Sequence, residues 1–88
     1  MNKEKQDAVK ALKISKGQIE AIIKMIEDER YCVDISNQII AAQSLLKKAN
    51  MLILKQHMHH CVKDAFKDGN EEKKIEEIIE LLSKISGK

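Results

Sequence analysis

The sequence lacks most of the residues that interrupt helices or fill sheets. Its 88 residues include no proline and no tryptophan, and only three glycines, one tyrosine and one phenylalanine. Turns favour proline and glycine, and strands favour aromatic residues, so this composition argues against a sheet protein. Isoleucine, leucine, lysine and glutamate dominate instead, a mixture that suits helices. We therefore predict an all-α fold.

Long apolar runs are also missing. No stretch reaches the roughly 18 apolar residues that a membrane helix needs, and the first residues carry no apolar signal region. We expect a cytoplasmic protein with no membrane partner. The two cysteines are Cys32 and Cys61. Because cytosolic thiols stay reduced, metal ligands or reactive thiols are better interpretations of them than a structural disulfide.

The length predicts a single domain over residues 1–88, with a modest core that oligomerisation would enlarge. The net charge is only +2. Lysines nevertheless outnumber acidic residues by six to three in residues 1–26. A basic helix can contact phosphates, but lysine-rich helices are more often ordinary solvated surfaces. The charge by itself therefore leaves nucleic-acid binding open.

Hydrophobic periodicity predicts three helices, at about 3–28, 32–65 and 71–86. Gly17 lies inside the first helix, where it costs about 1 kcal/mol relative to alanine, and we expect it to pack closely against a neighbouring helix. The same helix has an apolar stripe of helical spacing, with Lys16 as the polar residue within it. The members of that stripe are Val9, Leu12, Ile19, Ile22, Ile23 and Ile26.

The predicted second helix is long for so small a chain. Residues 32–65 would extend for about 50 Å, and apolar residues lie around much of its circumference. The shorter first helix cannot cover such a surface alone. We therefore expect a partner chain to bury part of it.

His57 and Cys61 are four residues apart, which places them on one face of a helix, one turn from each other. Cys32 lies 25 residues before His57, or about 37 Å along an unbroken helix. On such a helix Cys32 can meet His57 only if a second copy runs antiparallel. A two-fold dimer would then hold two sites, each built from both chains.

Two thiolates and one imidazole form a soft ligand set that suits Cu(I) best, because Zn(II) usually takes a fourth ligand and Ni(II) prefers more nitrogen. The alternative is that both cysteines pack as small hydrophobic residues beside a surface histidine cluster. Catalysis by a Cys–His pair is disfavoured, since the chain offers no third orienting residue and little room for a cleft. We expect no enzyme activity and no small-molecule substrate.

Five short motifs are spread along the chain: Gly17-Gln18, Met25-Ile26-Glu27, Tyr31-Cys32-Val33-Asp34-Ile35, Gln38-Ile39 and His57…His60-Cys61-Val62. Together they resemble the CsoR family, the copper-sensing operon repressors and their metal-sensor relatives. The resemblance covers about residues 8–82. It implies an all-helical protein whose long central helix pairs into an antiparallel dimer with a four-helix bundle, and whose dimers pair into a flat tetramer.

The resemblance also implies a ligand set and its neighbours. Cys32, His57 and Cys61 match the residues that bind Cu(I) across the dimer interface. Tyr31 and Glu77 match the residues that contact the histidine ligand, with Glu76 and Glu80 as weaker matches. Nickel and cobalt sensors have a histidine in place of the last cysteine, persulfide sensors lack the histidine, and formaldehyde sensors use an N-terminal proline. Copper therefore remains the predicted metal.

The sequence departs from the family in its arginines. Family repressors usually carry arginines near the Gly-Gln motif and in the middle of the long helix, where this chain has Ile14, Glu20 and Gln43. Arginine contacts phosphates in a bidentate way that glutamine cannot reproduce. As substitutes we predict four lysines, Lys13, Lys16, Lys47 and Lys48.

The predicted function is a Cu(I)-responsive repressor that binds operator DNA without metal and releases it on Cu(I) binding. One alternative is a Cu(I) buffer or delivery protein that no longer binds an operator. Another is a thiol- or persulfide-reactive sensor in which Cys32 and Cys61 join across chains.

Overall fold

The computed structural model describes residues 1–58, Gly69 and residues 71–85, apart from the side chain of Glu71. Within these residues there are three helices and no strand: α1 (Lys3–Glu27), α2 (Cys32–His57) and α3 (Glu71–Ile85). The predicted all-α fold is thus confirmed. The first helix ends one residue before its expected bound. The later part of the predicted second helix, 59–65, and the last residue of the third lie outside the described residues.

Side-chain and backbone caps define α1. Asn2 precedes the helix in an extended conformation, and its side chain accepts a hydrogen bond of 2.8 Å from the Lys5 N–H. At the other end Glu29 is left-handed, with φ of 54°. The Arg30 N–H donates to the Met25 carbonyl at 2.9 Å and the Glu29 N–H to the Ile26 carbonyl at 3.1 Å. This is a Schellman motif with glutamate where glycine is usual.

A short turn after Asp28 sends α2 back along α1, and small side chains form the contact between the two helices. Ala8, Ala11 and Ala49 are buried together, with Leu45 and Leu52 packed at their edge. The buried side of α1 continues through a serine whose hydroxyl donates to the Ala11 carbonyl at 2.9 Å. Small residues let two helices approach closely.

Most of the apolar stripe predicted on α1 is exposed in the single chain. Of its members only Ile22 is buried. The others stay exposed in the single chain, as does Lys16 between them. We call Val9, Leu12, Lys16, Ile19, Ile23 and Ile26 the α1 stripe. Periodicity located an apolar face correctly, but the neighbouring face of small residues packs against α2, because alanine and serine permit the closer contact.

The expected close packing of Gly17 is wrong within the chain. Gly17 is exposed, and a Cβ built on it would meet nothing within 4 Å. Its neighbours one turn away, among them Lys13, Ile14 and Glu20, are exposed as well. Gly17 is therefore not explained by the contact between α1 and α2.

The third helix folds back onto the second half of α2. Leu54 and Ile78 are buried at this contact. Ile75, Ile79 and Leu82 of α3 remain exposed. None of the helices in the described part of the chain is long and apolar enough to cross a membrane.

Candidate metal centre

Cys32 begins α2 and is exposed as a free thiol. Tyr31 precedes it in an extended conformation, and its side chain is 68% exposed and makes no capping hydrogen bond. The Ile35 N–H donates to the Tyr31 carbonyl at 3.2 Å, which fixes the start of the helix. Tyr31 and Cys32 are therefore consecutive exposed residues at the start of α2, accessible to a partner.

His57 is the last residue of α2 and is half-buried. It lines a cavity of about 330 Å³ together with Glu77, Glu80, Leu81 and Lys84 of α3. The fold thus brings His57 and Glu77 to one cavity, although 20 residues separate them in the sequence. A carboxylate at this position can accept a hydrogen bond from the imidazole nitrogen that does not bind metal, which fixes the ring orientation.

Both carboxylates in this cavity have lysine partners. Lys74 Nζ lies 3.8 Å from Glu77 Oε2, and Lys84 Nζ lies 3.6 Å from Glu80 Oε1. The Glu80 pair is far more exposed than the Glu77 pair. Exposed ion pairs of this kind contribute about 0–1 kcal/mol. Glu77 is half-buried, and its ion pair with Lys74 is still partly exposed, so turning its carboxylate toward His57 would cost little.

His57 also lines a second cavity, of about 230 Å³, whose lining includes Asn50, Ile53, Leu81 and Ile85. The walls of this cavity are mainly apolar. His57 therefore borders both a cavity with charged side chains and a mainly apolar one.

The predicted ligands do not meet within one chain. Cys32 and His57 are the first and last residues of the same unbroken helix, so about 37 Å separates them. Cys61 lies outside the described residues. Accordingly, no group of three His, Cys, Asp or Glu side chains that could hold a metal occurs in residues 1–58, 69 and 71–85.

Cys32 and His57 do share one face of α2. Residues that follow Cys32 at alternating steps of four and three lie along one side of the helix, and this series ends at His57. We call this series the α2 stripe. Its members are Cys32, Ser36, Ile39, Gln43, Leu46, Asn50, Ile53 and His57. All of them are exposed except the half-buried His57.

The four predicted DNA-contacting lysines fall on different surfaces. Lys13 lies on the polar side of α1, whereas Lys16 belongs to the α1 stripe. Lys48 lines a cavity between α1 and α2 that Lys10 also lines, and Lys47 is exposed on α2. Sequence reasoning missed Lys10 as a neighbour of Lys48. Lys10 lies three residues before Lys13, and this spacing places the two lysines on the same face of α1.

Comparison with known proteins identifies the class. A model of the metal-sensitive transcriptional repressor family matches residues 4–84. The copper-sensing transcriptional repressor CsoR of Bacillus subtilis (strain 168) is 41% identical over 85 residues, which are 97% of this chain and 84% of that protein. The chain belongs to the metal-sensitive transcriptional repressor family.

Two solved structures have a similar fold. The copper-sensing repressor CsoR with Cu(I) from Geobacillus thermodenitrificans matches with a TM-score of 0.83 and 35% identity, over 98% of this chain and 90% of that chain. The nickel-responsive transcriptional regulator InrS matches with a TM-score of 0.74 and 30% identity, over 91% and 90% of the two chains. Because these two relatives respond to different metals, the fold does not decide which metal is sensed.

Proposed function

We propose that this protein is a cytoplasmic Cu(I)-responsive repressor that works as an antiparallel dimer, and as a tetramer of two dimers. The observation that carries the proposal is the placement of Cys32 and His57 at opposite ends of one exposed stripe of one unbroken helix. A second copy running antiparallel along that stripe places Cys32 beside His57 of the partner subunit. The same operation builds an identical pair at the other end.

The α2 stripe supports such pairing because it is symmetric about its own centre. When Cys32 faces His57 of the partner subunit, the axis crosses α2 between Ser44 and Leu45. Ile39 then faces Asn50 of the partner subunit, and the remaining positions pair in the same way. The apolar members of the stripe are about 40% exposed in the single chain, and this pairing buries them.

The ligand chemistry favours Cu(I) over Ni(II). Two cysteine thiolates and one imidazole, from Cys32 of one chain and His57 and Cys61 of the other, are a soft set of low coordination number. Ni(II) in a square-planar site prefers more nitrogen ligands. When bound, Cu(I) supplies coordination bonds that join the two chains at both ends of the dimer.

The response is assigned to the residues around His57. With Cu(I) bound, one nitrogen of His57 would be the ligand, and the other would be available to Glu77, which lines the same cavity. Tyr31 of the partner subunit would lie next to the Cys32 thiolate. A hydrogen bond from the ring to Glu77 would then connect the metal site to α3. Coupling of this kind commonly amounts to about 1–3 kcal/mol and is reciprocal, so DNA weakens copper binding as much as copper weakens DNA binding.

Operator DNA is assigned to the lysines of α1 and α2. Lys10, Lys13, Lys47 and Lys48 supply the phosphate contacts, and a tetramer presents each of them four times. Lys16 is set apart from this group because it lies on the α1 stripe. Phosphate contacts by lysine are point-charge contacts, so binding should fall steeply with salt.

The test is fluorescence anisotropy on DNA from upstream of the protein's own gene, under anaerobic conditions and at stated salt, before and after one Cu(I) per chain. We expect tight binding that copper abolishes. His57→Ala keeps both thiolates and should keep Cu(I) binding while losing most of the copper-induced DNA release. Glu77→Gln is the matched variant that leaves all three ligands in place. Equal release in His57→Ala would remove the proposed role of the histidine.

The missing arginines favour one second candidate, a Cu(I) buffer or delivery protein. At the positions where the family resemblance predicts arginines, the chain has Ile14, Glu20 and Gln43. Tight Cu(I) binding with no specific DNA binding in either state would support this candidate against repression. An interchain Cys32–Cys61 crosslink after polysulfide treatment, detected by mass spectrometry, would instead support a thiol-reactive sensor.

A further inference from the structure

Lys16 interrupts a face that is otherwise apolar. The remaining members of the α1 stripe are 38–56% exposed in the single chain. At about 100° per residue, this stripe points roughly a quarter turn away from the side of α1 that packs on α2. The face is therefore free to meet another helix while α1 stays packed in its own chain.

The α2 stripe is offset from the α1-facing side of α2 by a similar angle. Ala42 and Ala49 mark that side, and the α2 stripe lies about 100° around the helix from them. On each helix the stripe is turned by about 100°, in the same sense along the chain, from the side that contacts the other helix. Because α1 and α2 run antiparallel, both stripes therefore lie on the same side of the hairpin. A second copy that covers the α2 stripe therefore also covers the α1 stripe, with each helix facing its own copy.

The level of the two-fold axis along α1 can be read from the packing of α1 on α2. Ala11 and Ala49 belong to one buried cluster. Ala11 lies 16 residues before the end of α1 at Glu27, and Ala49 lies 17 residues after the start of α2 at Cys32. Because the two helices run antiparallel from the turn, we infer that Ala11 lies at about the level of Ala49. The axis of the proposed dimer crosses α2 about four and a half residues before Ala49. In the antiparallel α1 the same level lies about four and a half residues after Ala11, which is between Ser15 and Lys16.

We propose that Lys16 and Lys16 of the partner subunit face each other at the two-fold axis, and that their repulsion limits the strength of the dimer. This inference rests on the antiparallel dimer of the proposed function. Along the helix direction the two Lys16 residues are offset by about one residue, or roughly 1.5 Å. They lie in the seam between the two α1 stripes, whose other members are apolar. A lysine at one core position of a helical seam restricts pairing at a cost in stability.

Lys16 has no acidic partner among the described residues of its own chain. In residues 1–58, 69 and 71–85, the lysines with an acidic partner within 4 Å are Lys24, Lys74 and Lys84. Added salt should therefore strengthen association by screening the repulsion between the two Lys16 side chains.

The test measures association of the metal-free protein by sedimentation equilibrium, supported by urea unfolding at several protein concentrations. Lys16→Met keeps helix propensity and length while removing the charge. We expect its dimer dissociation constant to be lower than that of the wild type by roughly tenfold or more at low salt. Raising salt from about 0.05 to 0.5 M should tighten the wild-type dimer and affect Lys16→Met much less.

Lys24→Met is the matched control. It removes the same charge from the same helix, but from the polar side, where Lys24 makes only an exposed pair of 3.7 Å with Asp28. We expect it to stay within about twofold of the wild type. Equal constants for the wild type and Lys16→Met would overturn the proposal, as would equal tightening by both variants. Wild-type association that weakens with salt would also overturn it, because it would show an ion pair.

These measurements use neither copper nor DNA, so their failure is distinguishable from failure of the sensing function. A copper titration that finds no shared site would contradict the proposed function, whereas Lys16→Met tests only the seam. If the wild type were monomeric at every protein concentration and Lys16→Met stayed monomeric too, the dimer itself would be excluded and this proposal with it.

Discussion

Glu29 holds the least favourable backbone conformation in the described chain, and replacing it with glycine should stabilise the protein. Its φ of 54° is left-handed, a conformation that costs a residue with a Cβ about 1–2 kcal/mol. Glycine avoids this cost but loses roughly 0.4–1 kcal/mol through its greater freedom in the unfolded chain. The net gain for Glu29→Gly is therefore about 1 kcal/mol per chain, or about 4–8 °C in Tm for a domain of this size.

The assay is urea and thermal unfolding of the metal-free protein at fixed concentration, followed by circular dichroism. Glu29→Ala is the control, because it removes the charge at the helix C-terminus and keeps the Cβ. The charge effect there is about 0.3–1 kcal/mol, and Glu29→Gly should exceed Glu29→Ala by the backbone contribution. If the two variants were equally stable, the left-handed conformation of Glu29 would not be the cause of any stabilisation by Glu29→Gly. That result would refute the argument from backbone conformation.

Three further predictions concern stability and can be checked by the same unfolding measurements. Gly17→Ala should stabilise by up to about 1 kcal/mol, because a Cβ there meets nothing within 4 Å; destabilisation would show that another molecule approaches Gly17 closely. Asn2→Ala should cost about 1 kcal/mol by removing the 2.8 Å bond to the Lys5 N–H, whereas Asn2→Asp should retain it. Ser15→Leu should cost about 1–3 kcal/mol by overpacking, since Ser15 is 1% exposed, and Ser15→Ala should be mild by comparison.

The predicted fold class followed from local chemistry and is confirmed. A chain without proline and with few glycines has little to stop a helix, and the periodic apolar residues mark where helices run. The left-handed Glu29 was not predicted, because only glycine and asparagine signal that conformation in a sequence. The metal ligands Cys32, His57 and Cys61 remain predictions, as do the roles of Tyr31 and Glu77.

The distance between Cys32 and His57 follows from the amino-acid sequence alone. Cys32 and His57 lie 25 residues apart without a helix breaker between them, and the fixed rise of a helix separates them by about 37 Å. From this alone it follows that they can form a site only with a second chain. No knowledge of packing is needed, because helix length depends only on residue number.

Which helix faces are buried depends on how the helices pack against one another. Periodicity finds every apolar face of a helix but cannot tell which one its own chain covers. It marks Val9 and Leu12, whereas Ala8 and Ala11 are the residues that α2 buries. It also cannot place Glu77 beside His57, since that neighbourhood depends on α3 folding back onto α2 through Leu54 and Ile78. Such choices depend on contacts between residues far apart in sequence, and these are fixed only when the helices pack.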